Sequence, residues 1–160
     1  MLAAELANEG ALGHIRAAAG VAVKNALTAR EAPRAAEYAS RWLYLSEDVR
    51  REVKAKALQT LTTQESSAST QAGQVIASIA SIEIPRGGWK DLIPQLLAAS
   101  QDQENAKLRQ AALQTIGFTC ESLVSVPPRV HPCKMARCSP DPYLSLSNKR
   151  TRCGISPTRS

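Results

Sequence analysis

Segment after segment of this chain repeats apolar residues at three- and four-residue steps, the spacing that lines one face of a helix. Every regular element found this way between Leu12 and Leu123 is a helix. In the first, Ile15, Ala19, Ala22, Val23, Ala26 and Leu27 form the stripe. Gly20 lies within it, where the missing side chain lets a neighbouring helix come close at a cost of about 1 kcal/mol relative to alanine. The helix is expected to end near Arg30, because Pro33 disfavours helical geometry at Ala32. A shorter helix follows from about Arg34 to Tyr44, with Tyr38 and Trp42 one turn apart.

The next helix has the clearest electrostatic design. Ser46 is a good N-cap, and Glu47 and Asp48 lie in the first turn, where the helix dipole favours anions. Arg50, Arg51, Lys54 and Lys56 form its wet face, with Glu47–Arg51 and Glu52–Lys56 as four-residue pairs. Val49, Val53, Ala57 and Leu61 supply its dry stripe. Ser66 or Ser67 is placed to cap a further helix with the stripe Ala68, Ala72, Val75, Ile79 and Ile82, closed by Pro85, Gly87 and Gly88. Another begins near Trp89 and carries Leu92, Ile93, Leu96 and Leu97, with Pro94 in or just after its first turn, where a missing N–H does least harm. The last starts at about Glu104, with Leu108, Ala112, Ile116, Cys120 and Leu123 on one stripe.

Ser46–Glu83 then forms one antiparallel helix pair of roughly 38 residues and Trp89–Leu123 a second of similar size. Two helices in about 40 residues is the period of HEAT and armadillo solenoids, in which each repeat buries its apolar face on the next. A compact helical bundle is the competing architecture. An aromatic share of 4% with abundant alanine favours closely packed helices over a sheet in either case.

The net charge of +6 suggests nucleic acid until its location is considered. Met1–Leu123 balances 13 Lys and Arg against 13 Asp and Glu, whereas Val124–Ser160 holds seven basic residues and one acid, Asp141. Three of the four cysteines and six of the nine prolines also lie beyond residue 123. The chain is therefore read as two parts, a helical repeat domain over 1–123 and a Pro-, Ser- and Arg-rich basic tail over 124–160 whose composition predicts disorder. No signal peptide and no apolar run near eighteen residues is visible, so the expected setting is soluble and intracellular with reduced thiols.

The wording of the helical part is more specific than its pattern. AAGVAVKNALTAR (18–30), RWLYLSEDVRREVK (41–54), LQTL (58–61), SSAS (66–69), EIP (83–85), WKDLIPQLLA (89–98) and IGFTCESL (116–123) occur in the order of the amino-terminal repeats of the importin-beta family of nuclear transport receptors. The chain resembles about the second to fourth HEAT repeats of that family over nearly all of residues 2–123.

The resemblance implies binding of the GTP form of Ran by the second, inward-facing helix of each repeat. Those helices are expected at about Leu12–Ala29, Ser67–Glu83 and Glu104–Leu123. Lys24, Asn25 and Arg30 are the implied contacts, a basic and hydrogen-bonding cluster suited to an acidic, polar switch surface. The bland reading beside it is that Lys24 and Arg30 only serve the carboxyl end of their own helix and Asn25 only bonds backbone carbonyls.

Against the family pattern, the chain starts within the second repeat, with Ala3–Asn8 left of its outer helix. The loop between Leu61 and Ser66 is shorter and lacks a basic residue. The later repeats, which in the family carry the pockets for phenylalanine-glycine nucleoporins and the surface for an importin-alpha-like adaptor, are absent. Those partners, and residence at the nuclear pore as well as in cytoplasm and nucleus, are expected only of a full-length parent.

In the tail, His131, Cys133, Cys138 and Cys153 include one zinc-like spacing, but no second close pair follows, so no metal site is assigned. Asn148–Arg152 (NKRTR) is a short basic motif without an aromatic platform, and nucleic-acid and membrane partners are not expected. The abrupt end of the resemblance raises the hypothesis that the tail is read through an intron or in a shifted frame.

No catalytic centre or cofactor is expected. His14 reads as a surface or cap residue and Cys120 as a small core residue, and no Gly-rich phosphate loop or nucleophile–base pair is present. The function expected from the resemblance is therefore that of a transport-receptor fragment. A generic helical scaffold, or a truncated product without independent function, is the alternative.

Overall fold

The computed structural model describes residues 1–124. The tail motifs named above lie outside them. Among the described residues there are seven helices and no strand: α1 Leu2–Ala7, α2 Gly13–Leu27, α3 Ala32–Tyr44, α4 Glu47–Thr60, α5 Ser66–Glu83, α6 Leu92–Ser100 and α7 Ala106–Val124. A short 3₁₀ turn, Ile84–Arg86, follows α5. None of these helices is long and apolar enough to cross a membrane.

Neighbours in sequence pair as α1 with α2, α4 with α5 and α6 with α7, and the pairs stack. The second helices form a continuous row, α2 on α5 and α5 on α7, while α1 packs on α4 in the other row. Each pair therefore touches the next through like helices, as the repeat period predicts for a solenoid rather than a bundle. The extra helix α3 links the first pair to the second.

α5 lies in the middle of the second-helix row and is buried nearly all round, including Ala68, Ala72, Val75, Ile76, Ile79 and Ile82. Its neighbours come close because glycine stands at each crossing. A Cβ on Gly20 of α2 would sit 2.6 Å from Gln71 Cβ, and one on Gly73 would sit 2.7 Å from Thr115 Oγ1 of α7. The turn after α5 has Gly87 in the left-handed region at φ 77°, and Gly88 N–H donates to the Glu83 carbonyl at 3.0 Å. This is a glycine C-cap of the kind the Pro–Gly–Gly cluster predicts.

Several expectations shift by a residue or a face. The dry stripe of α7 is Ala111, Ala112, Thr115 and Thr119, and Cys120 is exposed. Threonine can face the core because each hydroxyl donates to the carbonyl four residues back, Thr115 to Ala111 at 2.7 Å and Thr119 to Thr115 at 2.8 Å. α2 is likewise turned so that Arg16, Ala19, Gly20 and Leu27 are buried while Ile15 is exposed. Val49, Ile93 and Leu97 are also exposed rather than core.

Neither predicted serine cap makes a side-chain cap bond. Ser46 serves α4 through its carbonyl, which accepts from Arg50 N–H, and Glu65 rather than a serine stands at the cap of α5. Glu47–Arg51 forms at 3.7 Å with Asp48–Arg51 at 3.2 Å, but Glu52 and Lys56 make no ion pair. Pro33 sits inside the first turn of α3, which starts at Ala32, because an N–H there would have no helical partner. α7 begins after Asn105, whose Oδ1 accepts from Leu108 N–H at 2.9 Å.

Candidate functional site

Two buried charged residues lock the rows together and so position the exposed face of α2, α5 and α7. The first is Glu83 at the end of α5, only 3% exposed. It accepts from Trp42 Nε1 at 2.9 Å, Lys54 Nζ at 2.8 Å and Arg50 at 3.4 Å, which joins α3, α4 and α5. Lys54 also lies over the Trp89 ring, 5.1 Å from its centroid. Arg50 and Lys54, read from sequence as wet-face residues, are thus mostly covered.

The second is Arg16 in α2, also 3% exposed. Its Nε donates to the Leu6 carbonyl and its Nη1 to Thr63 Oγ1, each at 3.0 Å, tying α1 and the α4–α5 loop to α2. Its Nη2 is buried without a partner. Sequence reasoning missed both residues, since each occupies one place in a helical pattern that says nothing about a partner dozens of residues away. A lone acid or base standing among apolar stripe positions was the available signal.

The residues singled out for binding lie near one end of α2. Lys24 is half-buried in the last turn and its Nζ donates to Gln74 Oε1 of α5 at 3.1 Å. Its carbonyl is closed by the Thr28 N–H at 3.0 Å and hydroxyl at 2.9 Å. Asn25 is exposed on the next position. Arg30 is exposed as well, but it lies in the α2–α3 loop and not on the helix, which ends at Leu27. The structure therefore ties Lys24 to the adjoining second helix and leaves Asn25 and Arg30 presented to solvent.

Further along the same row, a shallow polar recess of about 90 Å³ lies between α5 and α7, lined by Ser66, Ser69, Thr70, Gln110 and Gln114 among others. Lys107 of α7 reaches across it and donates to the Gln64 carbonyl at 3.1 Å. The α4–α5 loop has no basic residue of its own, so α7 supplies one. At the start of α7, Asp102 Oδ1 accepts the N–H groups of Asn105 and Glu104, both at 2.9 Å. These bonds, with the Arg109 charge adding to them, hold its carboxyl below its ordinary value of 3.8.

The recess is lined mostly by polar side chains. His14 and Cys120 are exposed, and among the described residues no group of three His, Cys, Asp or Glu could hold a metal. Such a surface suits protein recognition.

No family model matches the chain. Over 123 residues, 77% of its length, it is 44% identical to Importin subunit beta-1 of Schizosaccharomyces pombe, of which the match covers 14%. A crystal structure of importin beta superposes on 75% of the chain with a TM-score of 0.72 and 45% identity, again over 14% of that protein. A structure of Kap95p with RanGDP, in which Kap95p binding drives the Ran switch loops to the GTP-bound conformation, superposes on 76% of the chain and 14% of its own with a TM-score of 0.73 and 28% identity. The chain thus spans about one seventh of the relatives it matches, and its helix pairs are HEAT repeats of a solenoid.

Proposed function

The helical part of this chain belongs to the importin-beta family, and from that premise we propose that it is a nuclear transport receptor fragment that binds GTP-loaded Ran through its second-helix row. The observation that carries the reading is the likeness to Kap95p in complex with RanGDP. A protein that forces the switch loops of the GDP form into the GTP-bound conformation has a higher affinity for that conformation, because a binding partner shifts an equilibrium only by its differential affinity. Preference for the GTP form follows for a surface of the same kind.

Within that surface, Lys24, Asn25 and Arg30 are the proposed contacts. Lys24 has three donor positions and uses one on Gln74, so two remain for a carboxylate or carbonyl of the GTPase. Arg30 and Asn25 extend the same cluster into solvent. Lys107 is a further contact of the same kind, placed where the α4–α5 loop has no basic side chain of its own. The reading needs no catalytic step, cofactor or metal. It assigns action in protein import, in cytoplasm and nucleus, to the receptor of which this is a part; the adaptor and nucleoporin surfaces belong to its remaining length.

The test is a titration of the purified chain against Ran loaded with a non-hydrolysable GTP analogue, beside the double variant Lys24→Glu, Arg30→Glu. Two reversed charges at a polar interface are expected to weaken binding at least about tenfold. Wild-type affinity in the double variant, with its helical content unchanged, would overturn the assignment of these residues.

A further inference from the structure

Among the described residues, Trp89 alone carries a side chain on left-handed backbone, at φ 46°. A bulky residue is held in that region only where its surroundings over-determine it. For Trp89 they lie on the preceding helix pair: the indole packs against the core, and Lys54 Nζ of α4 stands 5.1 Å from its ring centroid. The strained turn thereby brings the loop ahead of α6 onto α4 and leaves a half-buried indole at the surface between them.

That surface is an open groove of about 570 Å³. Its apolar part is Trp89 with Ala55 and Leu58 of α4, and its charged groups are Arg51, Lys54 and Lys90 against one carboxylate, Asp91. Lys54 is committed to the buried Glu83 at 2.8 Å. Arg51 shares the exposed Glu47 and Asp48, in pairs weak enough in water for a ligand to draw it away. Lys90 is exposed and forms no ion pair among the described residues. The groove is therefore net cationic around an apolar centre, and it holds tryptophan and arginine, two of the residue types that most often anchor an interface. From Arg51 to Leu58 is two helical turns, about 10 Å, which three extended residues also span.

We propose that this groove binds an acidic, extended segment of another protein. One aliphatic side chain of the segment sits on Trp89 and Leu58, and carboxylates on either side of it meet Arg51 and Lys90. The proposal does not rest on the Ran reading, because α4 and the loop before α6 lie outside the second-helix row. Charge decides against this chain's own residues 124–160 as the occupant, since they carry seven cations and one acid.

The two tryptophans make the groove observable. In the full chain labelled with fluorotryptophan, fluorine NMR gives one signal for Trp42 and one for Trp89, and Trp89→Phe assigns them. The probes are two peptides of about eight residues with a central leucine, flanked by aspartates in one and by lysines in the other. The aspartate peptide is expected to shift the Trp89 signal saturably and that of the core residue Trp42 far less. It should bind at least about tenfold more tightly than the lysine peptide.

Lys90→Glu should weaken the aspartate peptide at least about fivefold, whereas Arg34→Glu, exposed on α3 and outside the groove, should change it less than about twofold. Ala55→Glu, at an exposed position on the groove wall, should abolish its binding while helical content is kept. Gln95→Glu, also exposed and lining the groove, is a second such variant should the first unfold. The proposal is overturned by the absence of a saturable Trp89 shift, by equal affinity for the two peptides, or by equal losses in Lys90→Glu and Arg34→Glu, which would mean diffuse charge attraction. It is also overturned if the Trp89 signal moves with protein concentration alone while sedimentation shows a dimer, since the occupant is then a second copy.

Discussion

Glu83→Ala is the substitution that most severely tests how the helix rows are held. It removes the acceptor for the Trp42 indole N–H and the counter-charge of Arg50 and Lys54 in one step. An indole N–H left buried and unpaired costs about 1–3 kcal/mol. Breaking a buried ion pair from one side costs about 3–5 kcal/mol when the remaining charge stays dry. Here the cationic side chains are 23% and 19% exposed, so water takes up part of that cost, and a total of about 3–4 kcal/mol is the resulting estimate.

Glu83→Gln keeps an acceptor for Trp42 and loses only the charge, so about 1–2 kcal/mol is expected. At about 0.05 kcal/mol per residue, the lower end for small folds, 124 residues have about 6 kcal/mol of stability, and Glu83→Ala removes around half of it. Urea unfolding followed by far-ultraviolet circular dichroism measures both variants, with the slope expected to stay constant. A loss below about 1 kcal/mol for Glu83→Ala, or equal losses for Ala and Gln, would refute the reasoning.

Three further outcomes are expected. Gly73→Ala should destabilise by about 1–3 kcal/mol although alanine is the better helix former, because the new methyl meets Thr115 Oγ1; in a Thr115→Ala background the same change should become neutral or stabilising, which a double-mutant cycle reads directly. Arg16→Ala should cost about 2–4 kcal/mol, with coupling to Thr63→Val of about 1 kcal/mol for the side-chain bond between them; additive effects would show that the bond contributes nothing. Asp102 stabilises through its ionised form, its native carboxyl lying below 3.8, so its contribution is complete above that value and is lost as pH falls through the native one; Asp102→Asn should therefore lower stability in the neutral range and flatten the fall in stability below about pH 4, and an unchanged acid limb would contradict this.

The sequence made the helices, their pairing and their order legible because a 3.6-residue period and Gly–Pro punctuation are local signals. Gly20 within its stripe, Pro94 in the first turn of α6 and Gly87 at the turn after α5 all act as their chemistry predicts. Which face turns inward was less legible, since it depends on what each stripe meets. Thr115 and Thr119 displace Cys120 from the core by bonding their own backbone, and Arg16 displaces Ile15 by finding Leu6 and Thr63.

The proposed binding face shows the same division. Lys24 and Asn25 stand where the helical period puts them, whereas Arg30 falls beyond the last turn of α2. The approach of Lys107 to the α4–α5 loop joins residues 43 apart and had no local signal. The partners of Glu83 had no local signal for the same reason, Trp42, Arg50 and Lys54 lying 29 to 41 residues away.

Isothermal titration of the folded, monomeric chain with Ran in each nucleotide state tests the central claim most directly. Binding to the GTP form at least about tenfold tighter than to the GDP form, a difference of about 1.4 kcal/mol, is the expected result. Equal affinity for the two forms, or no heat with either, would contradict it.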